Sequence, residues 1–205
     1  MSFRRISIVA AAALLFCTVA VGVAQAQSGS STVTDFALRT GDNTEMHLRS
    51  FAGSKAVVVV FVNPSCAFSK LYQTRLNTLN SAYSSRGVQF LFIKAPINLE
   101  ATALDADVEK IKLKTTGDGS DFPYLTDETQ KVATLLGATK TPEVVVLQPA
   151  GNGFVVRYKG AIDDNPQVEA YVKDRYLNQA LESLLAGKTI AVTDRRAAGC
   201  LIKKP

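Results

Sequence analysis

The chain has 205 residues, 47% of them apolar, with 23 Lys and Arg against 18 Asp and Glu and a formal net charge of +5. Such a length is enough for one ordinary domain with a real core. The mild basic excess does not imply nucleic acid as a partner, because no basic cluster interleaved with aromatics accompanies it.

In chain order, residues 1–26 read as a secretory signal peptide. Arg4 and Arg5 supply the positive start, Ile6 to Val23 the apolar run, and Ala24-Gln25-Ala26 the cleavage site. The competing reading is a membrane anchor, since the run is close to the roughly 18 residues of a span. The polar stretch Gln27-Ser28-Gly29-Ser30-Ser31 favours cleavage and leaves a chain that is not membrane-embedded. Losing Arg4 and Arg5 takes the charge from +5 to +3. Cys17 follows Phe16, where lipid attachment would want a small residue, and it leaves with the signal. Residues 27–31 read as a linker, 32–187 as one domain and 188–205 as a tail carrying Cys200.

Within the domain, Thr32–Phe36 and Met46–Phe51 predict a hairpin around Gly41-Asp42-Asn43. Ala56–Val62, AVVVVFV, predicts a central strand buried on both faces. Phe68, Leu71, Tyr72, Leu76, Leu79 and Tyr83 recur at helical spacing before a stop at Gly87. Val88–Ile93 predicts a second buried strand. Leu104, Val108 and Ile111 predict a helix ending near Gly117, and Phe122–Leu125 a short strand. Asp127 is expected to cap a helix carrying Val132, Leu135 and Leu136 and closed by Gly137. Glu143–Leu147 and Phe154–Tyr158 predict a hairpin across the turn-rich 149–153. Leu177, Ala180, Leu181, Leu184 and Leu185 mark a last helix ending at Gly187, and residues 188–205 read as irregular. Strands separated by helices, then a late hairpin, imply an α/β fold with a mixed central sheet flanked by helices, an N-terminal hairpin extension and one inserted helix.

After signal removal only Cys66 and Cys200 remain. In an oxidising compartment two thiols form either one structural bridge or a working redox pair. Cys66 falls between a buried strand and the first turn of a helix. Free N–H groups and the helix dipole stabilise a thiolate there and lower its pKa below about 8.5. Lys70, one turn on, adds positive charge. Thr141-Pro142 precedes an apolar strand, where a cis bond would expose backbone groups to an extended ligand.

The stretches VVVVFVNPSCAFSK, GATKTPEVVVL, RYKGAIDD and LLAGKTIAVTDRRAAGCLI resemble the thioredoxin-like redoxin superfamily, which includes thioredoxins and AhpC/TSA-type peroxiredoxins. More narrowly the chain resembles an exported bacterial group with a Cys-Pro-x-x-Lys-type loop and a Gly-Cys-x-Ile C-terminus. The resemblance implies a thioredoxin-like fold, Cys66 as nucleophile, Pro142 as the cis-proline facing it and Cys200 as the group's C-terminal cysteine. Ser69 replaces the second cysteine of C-x-x-C, and Ala67 the usual proline. Asn63 and Val59 stand where peroxiredoxins carry Thr or Ser and Pro. Lys70 stands where copper-delivering relatives place a second cysteine, and His47 is the sole histidine, so no metal and no cofactor are expected. Asp163-Asp164 reads as a turn and helix cap. Tyr72, Phe68 and Tyr124 read as core or groove wall.

These features predict an exported, periplasmic or secreted thiol–disulfide oxidoreductase acting on protein or small-molecule thiols and disulfides. Cys66 and Cys200 would be catalytic, Thr141 and Pro142 substrate-orienting, and Lys70 and Ser69 supporting. The alternatives are a thiol peroxidase and a non-catalytic thioredoxin-fold binding module with a structural Cys66–Cys200 bridge.

Overall fold

The computed structural model describes residues 31–98 and 123–205. The stretch read as a signal peptide, most of the stretch read as a linker, the helix expected at Leu104–Ile111, and Phe122 lie outside the described residues.

The sheet is built outward from β4 (Ala56–Val62), all seven residues of which are buried. β-branched side chains pack well on both faces of a pleated strand, so an unbroken valine run belongs in the middle of a sheet. β4 pairs in parallel with β5 (Val88–Lys94), from Ala56 opposite Val88 to Val62 opposite Lys94. It pairs antiparallel with β8 (Glu143–Ala150), Val57 opposite Leu147 and Phe61 opposite Glu143. The link from β4 to β5 is α1 (Ala67–Ser84), the crossover a parallel pair requires.

The two faces of β4 feed two cores. Val57, Val59 and Phe61 join Leu48, Val145, Leu147 and Phe154 on one side. Val58, Val60 and Val62 meet Tyr72, Leu76 and Tyr83 of α1 on the other. Leu177, Ala180, Leu181 and Leu184 of α3 (Tyr176–Leu185) complete that second core. Each leucine buried this way contributes roughly 1.5–3 kcal/mol. Gly87, Gly137 and Gly187 follow the ends of α1, α2 (Lys131–Leu135) and α3, all at positive φ.

β9 (Gly153–Gly160) hairpins onto β8, and β6 (Leu125–Thr126) lies beside β5. β2 (Ala37–Arg39) and β3 (Glu45–His47) close the far edge, with β2 next to β6. A hairpin does form around Gly41-Asp42-Asn43, but from β2 and β3 and not from the expected Thr32–Phe36 and Met46–Phe51: β2 starts only at Ala37, and Leu48–Phe51 is a 3-10 helix. β1 (Thr32–Val33) instead satisfies the outer edge of β9, Val33 opposite Phe154. Asp35 turns the chain between them, accepting the Arg49 N–H at 3.0 Å and lying 3.1 Å from His47 Nδ1.

Four further expectations are corrected. Leu71 and Leu135, counted in the apolar patterns that predict their helices, are about half exposed and do not join the buried faces. Asp127 is not the N-cap of α2, which is Gln130. Its carboxylate reaches in from the preceding turn to the Ala133 N–H at 2.9 Å. Asp163 is not a helix cap but a buried acceptor beneath α1, and α3 is capped by Arg175. Residues 188–205 are not irregular throughout. β10 (Asp194–Arg195) adds in parallel to β9, and β11 (Cys200–Leu201) pairs with β7 (Lys140–Thr141). A strand added to an existing edge needs only backbone groups and so carries no side-chain period to read.

Candidate active site

β4 ends into the loop Asn63-Pro64-Ser65, and Cys66 is the N-cap of α1 with extended backbone, φ −80° and ψ 122°. Asn63 fixes this loop. Its Nδ2 donates to the Ala95 carbonyl at 2.7 Å, and its Oδ1 accepts the Ser65 N–H at 2.8 Å. Its backbone carbonyl accepts the Cys66 N–H at 2.9 Å. Its own N–H donates to Ser69 Oγ at 3.2 Å. Ser69, in the place of the second C-x-x-C cysteine, is thus turned toward the loop backbone. Lys70 lies exposed one turn into α1, and its N–H donates to the Cys66 carbonyl at 3.1 Å.

Facing Cys66 is the cis Thr141-Pro142 bond. The Thr141 carbonyl oxygen lies 3.0 Å from Cys66 Sγ. The sulfur is oxidised and carries no proton, so this is a close approach; on reduction the thiol would have an acceptor there. Thr141 and Cys66 are both fully buried. Glu143 braces the strand from behind, its Oε2 accepting the Thr139 N–H at 2.7 Å and the Lys140 N–H at 3.0 Å. Lys159 Nζ, 3.8 Å from Glu143 Oε1, also donates to the Gly137 carbonyl.

Cys66 and Cys200 are joined by a disulfide with Cα atoms 6.0 Å apart, 134 residues apart in sequence. That spacing lies inside the roughly 4.4–6.8 Å range a disulfide needs. Cys66 is wholly buried, whereas Cys200 is half-buried. Cys66, Thr141, Pro142 and Cys200 therefore converge on one point. Ser69 and Lys70 flank it on α1.

The other singled-out residues sit further off. Tyr72 donates its hydroxyl to Asp163 Oδ1 at 2.6 Å, and Arg75 Nη1 donates to Asp163 Oδ2 at 2.8 Å. Burial, reinforced by the Asp163 carboxylate, pushes the Tyr72 phenol well above its usual range. Phe68 is half-buried, and Tyr124 packs half-buried against the core shared by α1 and α3. His47 belongs to the Asp35 cluster. The bracing by Asn63 and Glu143 and the seat of the tail were not foreseen.

The AhpC/TSA family model matches residues 30–170. No curated protein matches the sequence. Among solved structures, the chain is similar to a hypothetical protein of Sinorhizobium meliloti 1021, at 26% identity and TM-score 0.68, covering 86% of this chain and 94% of that one. An uncharacterized conserved protein of Geobacillus kaustophilus is similar at 28% identity and TM-score 0.68, covering 86% and 92%. A protein of Chlorobium tepidum described as the thiol:disulfide interchange protein DsbE shares the fold at 20% identity and TM-score 0.52, covering 76% and 96%. The fold is thioredoxin-like, and the chain belongs to the AhpC/TSA family of redoxins.

Proposed function

We propose that the chain is an exported thiol–disulfide oxidoreductase in which Cys66 is the nucleophile and Cys200 its redox partner. The observation that carries this reading is the Cys66–Cys200 disulfide at the N-cap of an 18-residue helix, against the cis Thr141-Pro142 bond. A sulfur at that place leaves and attacks as a thiolate favoured by the helix N-terminus. The Cys66 thiolate attacks one sulfur of a client disulfide R–S–S–R′ and expels R′S⁻, forming Cys66–S–S–R. The Cys200 thiolate then attacks Cys66 Sγ, expels RS⁻ and leaves the Cys66–Cys200 disulfide. Two electrons pass from the dithiol to the client, and an external dithiol, or two monothiols in turn, restores the Cys66/Cys200 dithiol and is itself oxidised to a disulfide. Cys200 is the more exposed residue of the two, so the first external thiol attacks Cys200 Sγ and expels Cys66 as the stabilised leaving group, and the second thiol attacks the mixed disulfide and releases the Cys200 thiolate.

Membership in the AhpC/TSA family supports a second reading, a thiol peroxidase in which peroxide oxidises Cys66 to a sulfenic acid and Cys200 expels water. Both ends of the Asn63 side-chain amide are engaged by the backbone, which leaves it poorly suited to activate peroxide. Trapping separates the readings. Cys200→Ser should accumulate a mixed disulfide on Cys66 with a disulfide substrate, and Cys66→Ser should accumulate none. Oxidation of Cys66 by peroxide, but not by disulfides, far faster than a free thiol would establish the peroxidase. Reaction with neither would leave a structural bridge. Export is supported by the Arg4-Arg5, Ile6–Val23 and Ala24-Gln25-Ala26 order. N-terminal sequencing of protein from its own cell should begin at Gln27 or a near neighbour, and an intact Met1 on soluble cytoplasmic protein would contradict it.

A further inference from the structure

The tail that carries Cys200 is held in a slot with a backbone edge on each side. On one side Cys200 lies opposite Thr141 and Leu201 opposite Lys140, and the Ile202 N–H donates to the Thr139 carbonyl at 2.9 Å. On the other, the Asn98 N–H donates to the Leu201 carbonyl at 3.0 Å and the Lys203 N–H to the Pro96 carbonyl at 2.9 Å. A strand in this slot is recognised through groups that every polypeptide carries and that a small disulfide lacks.

Side-chain discrimination comes at two points. A Cβ built on Gly199 would lie 2.3 Å from the Thr141 carbonyl oxygen and 2.8 Å from its carbon. Both atoms are backbone, and the strand that bears them is held by the Glu143 carboxylate through the Thr139 and Lys140 N–H groups. The residue before the cysteine is therefore restricted to glycine by contact. Two residues after it, Ile202 is 8% exposed and belongs to the core under β4, while the intervening Leu201 is 58% exposed. The slot reads the second residue after the cysteine and ignores the first.

We propose that this slot is the client site and that the tail is its internal stand-in: clients are extended polypeptide segments of the pattern Gly-Cys-x-aliphatic. The proposal rests on the oxidoreductase reading above and names its substrate class. Client and tail compete for one seat. The electron balance is unchanged: the client's strand must leave as the Cys200 thiolate attacks Cys66 Sγ and expels the client thiolate. While Cys66–Cys200 stays oxidised the slot is covalently closed, and reduction opens it to exchange.

The test uses full-length Cys200→Ser protein and peptides Ala-Ala-Gly-Cys-Leu-Ile-Lys-Lys whose cysteine is disulfide-linked to 5-thio-2-nitrobenzoate. Release of the coloured thiolate reports attack by Cys66, and mass spectrometry identifies the adduct. Replacing the peptide's glycine by alanine should slow release at least about tenfold through overpacking. Replacing its isoleucine by aspartate should slow it at least about tenfold through burial of an unpaired carboxylate. The glutathione disulfide of the same leaving group should be as slow as either. Adding Gly199→Ala to the Cys200→Ser protein should accelerate the parent peptide, because the competing tail no longer fits. Equal rates for all four probes, or no gain from Gly199→Ala in a variant with unchanged circular dichroism, would overturn the proposal while leaving the oxidoreductase intact. No probe reacting faster than with a free thiol would remove both.

Discussion

Two effects oppose each other at Cys66. Burial disfavours a thiolate, and the open N–H groups at the start of α1 favour one. With the disulfide reduced and water admitted beside the tail, the helix N-terminus should prevail. Iodoacetamide alkylation of the reduced protein should therefore have a pH midpoint below the free-thiol value of about 8.5. A midpoint at or above it would remove the argument for a tuned nucleophile. Ser69 poses a separate question, because its Oγ accepts the Asn63 N–H inside the buried loop. Ser69→Ala leaves that N–H without its acceptor and should cost about 1–3 kcal/mol in urea unfolding. Cys66 and Pro142 were legible as residues, because a cysteine after a valine run and a proline before another are positional signals. The work of Asn63 and Ser69 was not, since side-chain-to-backbone bonds over a few residues leave no pattern in composition or period.

Among the elements, α1 is tied to the rest of the fold at two places by charge as well as by packing. In its first half, Asp163 receives Tyr72 and Arg75, and Arg75 also donates to the Asn165 carbonyl at 2.7 Å. Asp163→Ala strands a buried guanidinium and should cost about 3–5 kcal/mol, measured as a loss of unfolding free energy. At its far end, Glu182 of α3 meets Arg86 just beyond α1 and accepts the Tyr83 hydroxyl at 2.7 Å. Arg86 first, and then Tyr83, hold the Glu182 carboxyl down to about 2 against its usual 4.5. The folded value is the lower one, so the contribution is whole above pH 4.5 and is lost as pH falls toward about 2. Glu182→Gln should flatten the acid limb of the stability profile in that window. Arg86 and Glu182 are both nearly half exposed, so added salt should reduce the difference. An unchanged acid limb would show the ion pair to be idle. Long periodic elements such as β4, α1 and α3 were readable because one or both faces are buried along their whole length. β1, β10 and β11 were not, because two residues borrowing an edge make no period.

At the scale of the whole molecule, the tail is a second closure of the domain. It crosses the end of β9 at Gly160, where a Cβ would lie 1.7 Å from the Arg195 carbonyl oxygen, and runs on to Gly199 against Thr141. The chain gives up a side chain once on the sheet and once on the tail so that the two backbones can meet. Opening the disulfide releases a loop of 134 residues in sequence and should lower stability by roughly 2–5 kcal/mol, read as the unfolding difference between oxidised and reduced protein. That loss alone does not separate a structural bridge from a working pair, because both close the same loop. The reduction potential does. Equilibrating full-length protein with defined dithiol–disulfide buffers and counting free thiols at Cys66 and Cys200 gives the potential of the pair. The account predicts a value above about −300 mV, within reach of cellular thiol exchange, and a value below it would identify the Cys66–Cys200 bond as a structural bridge.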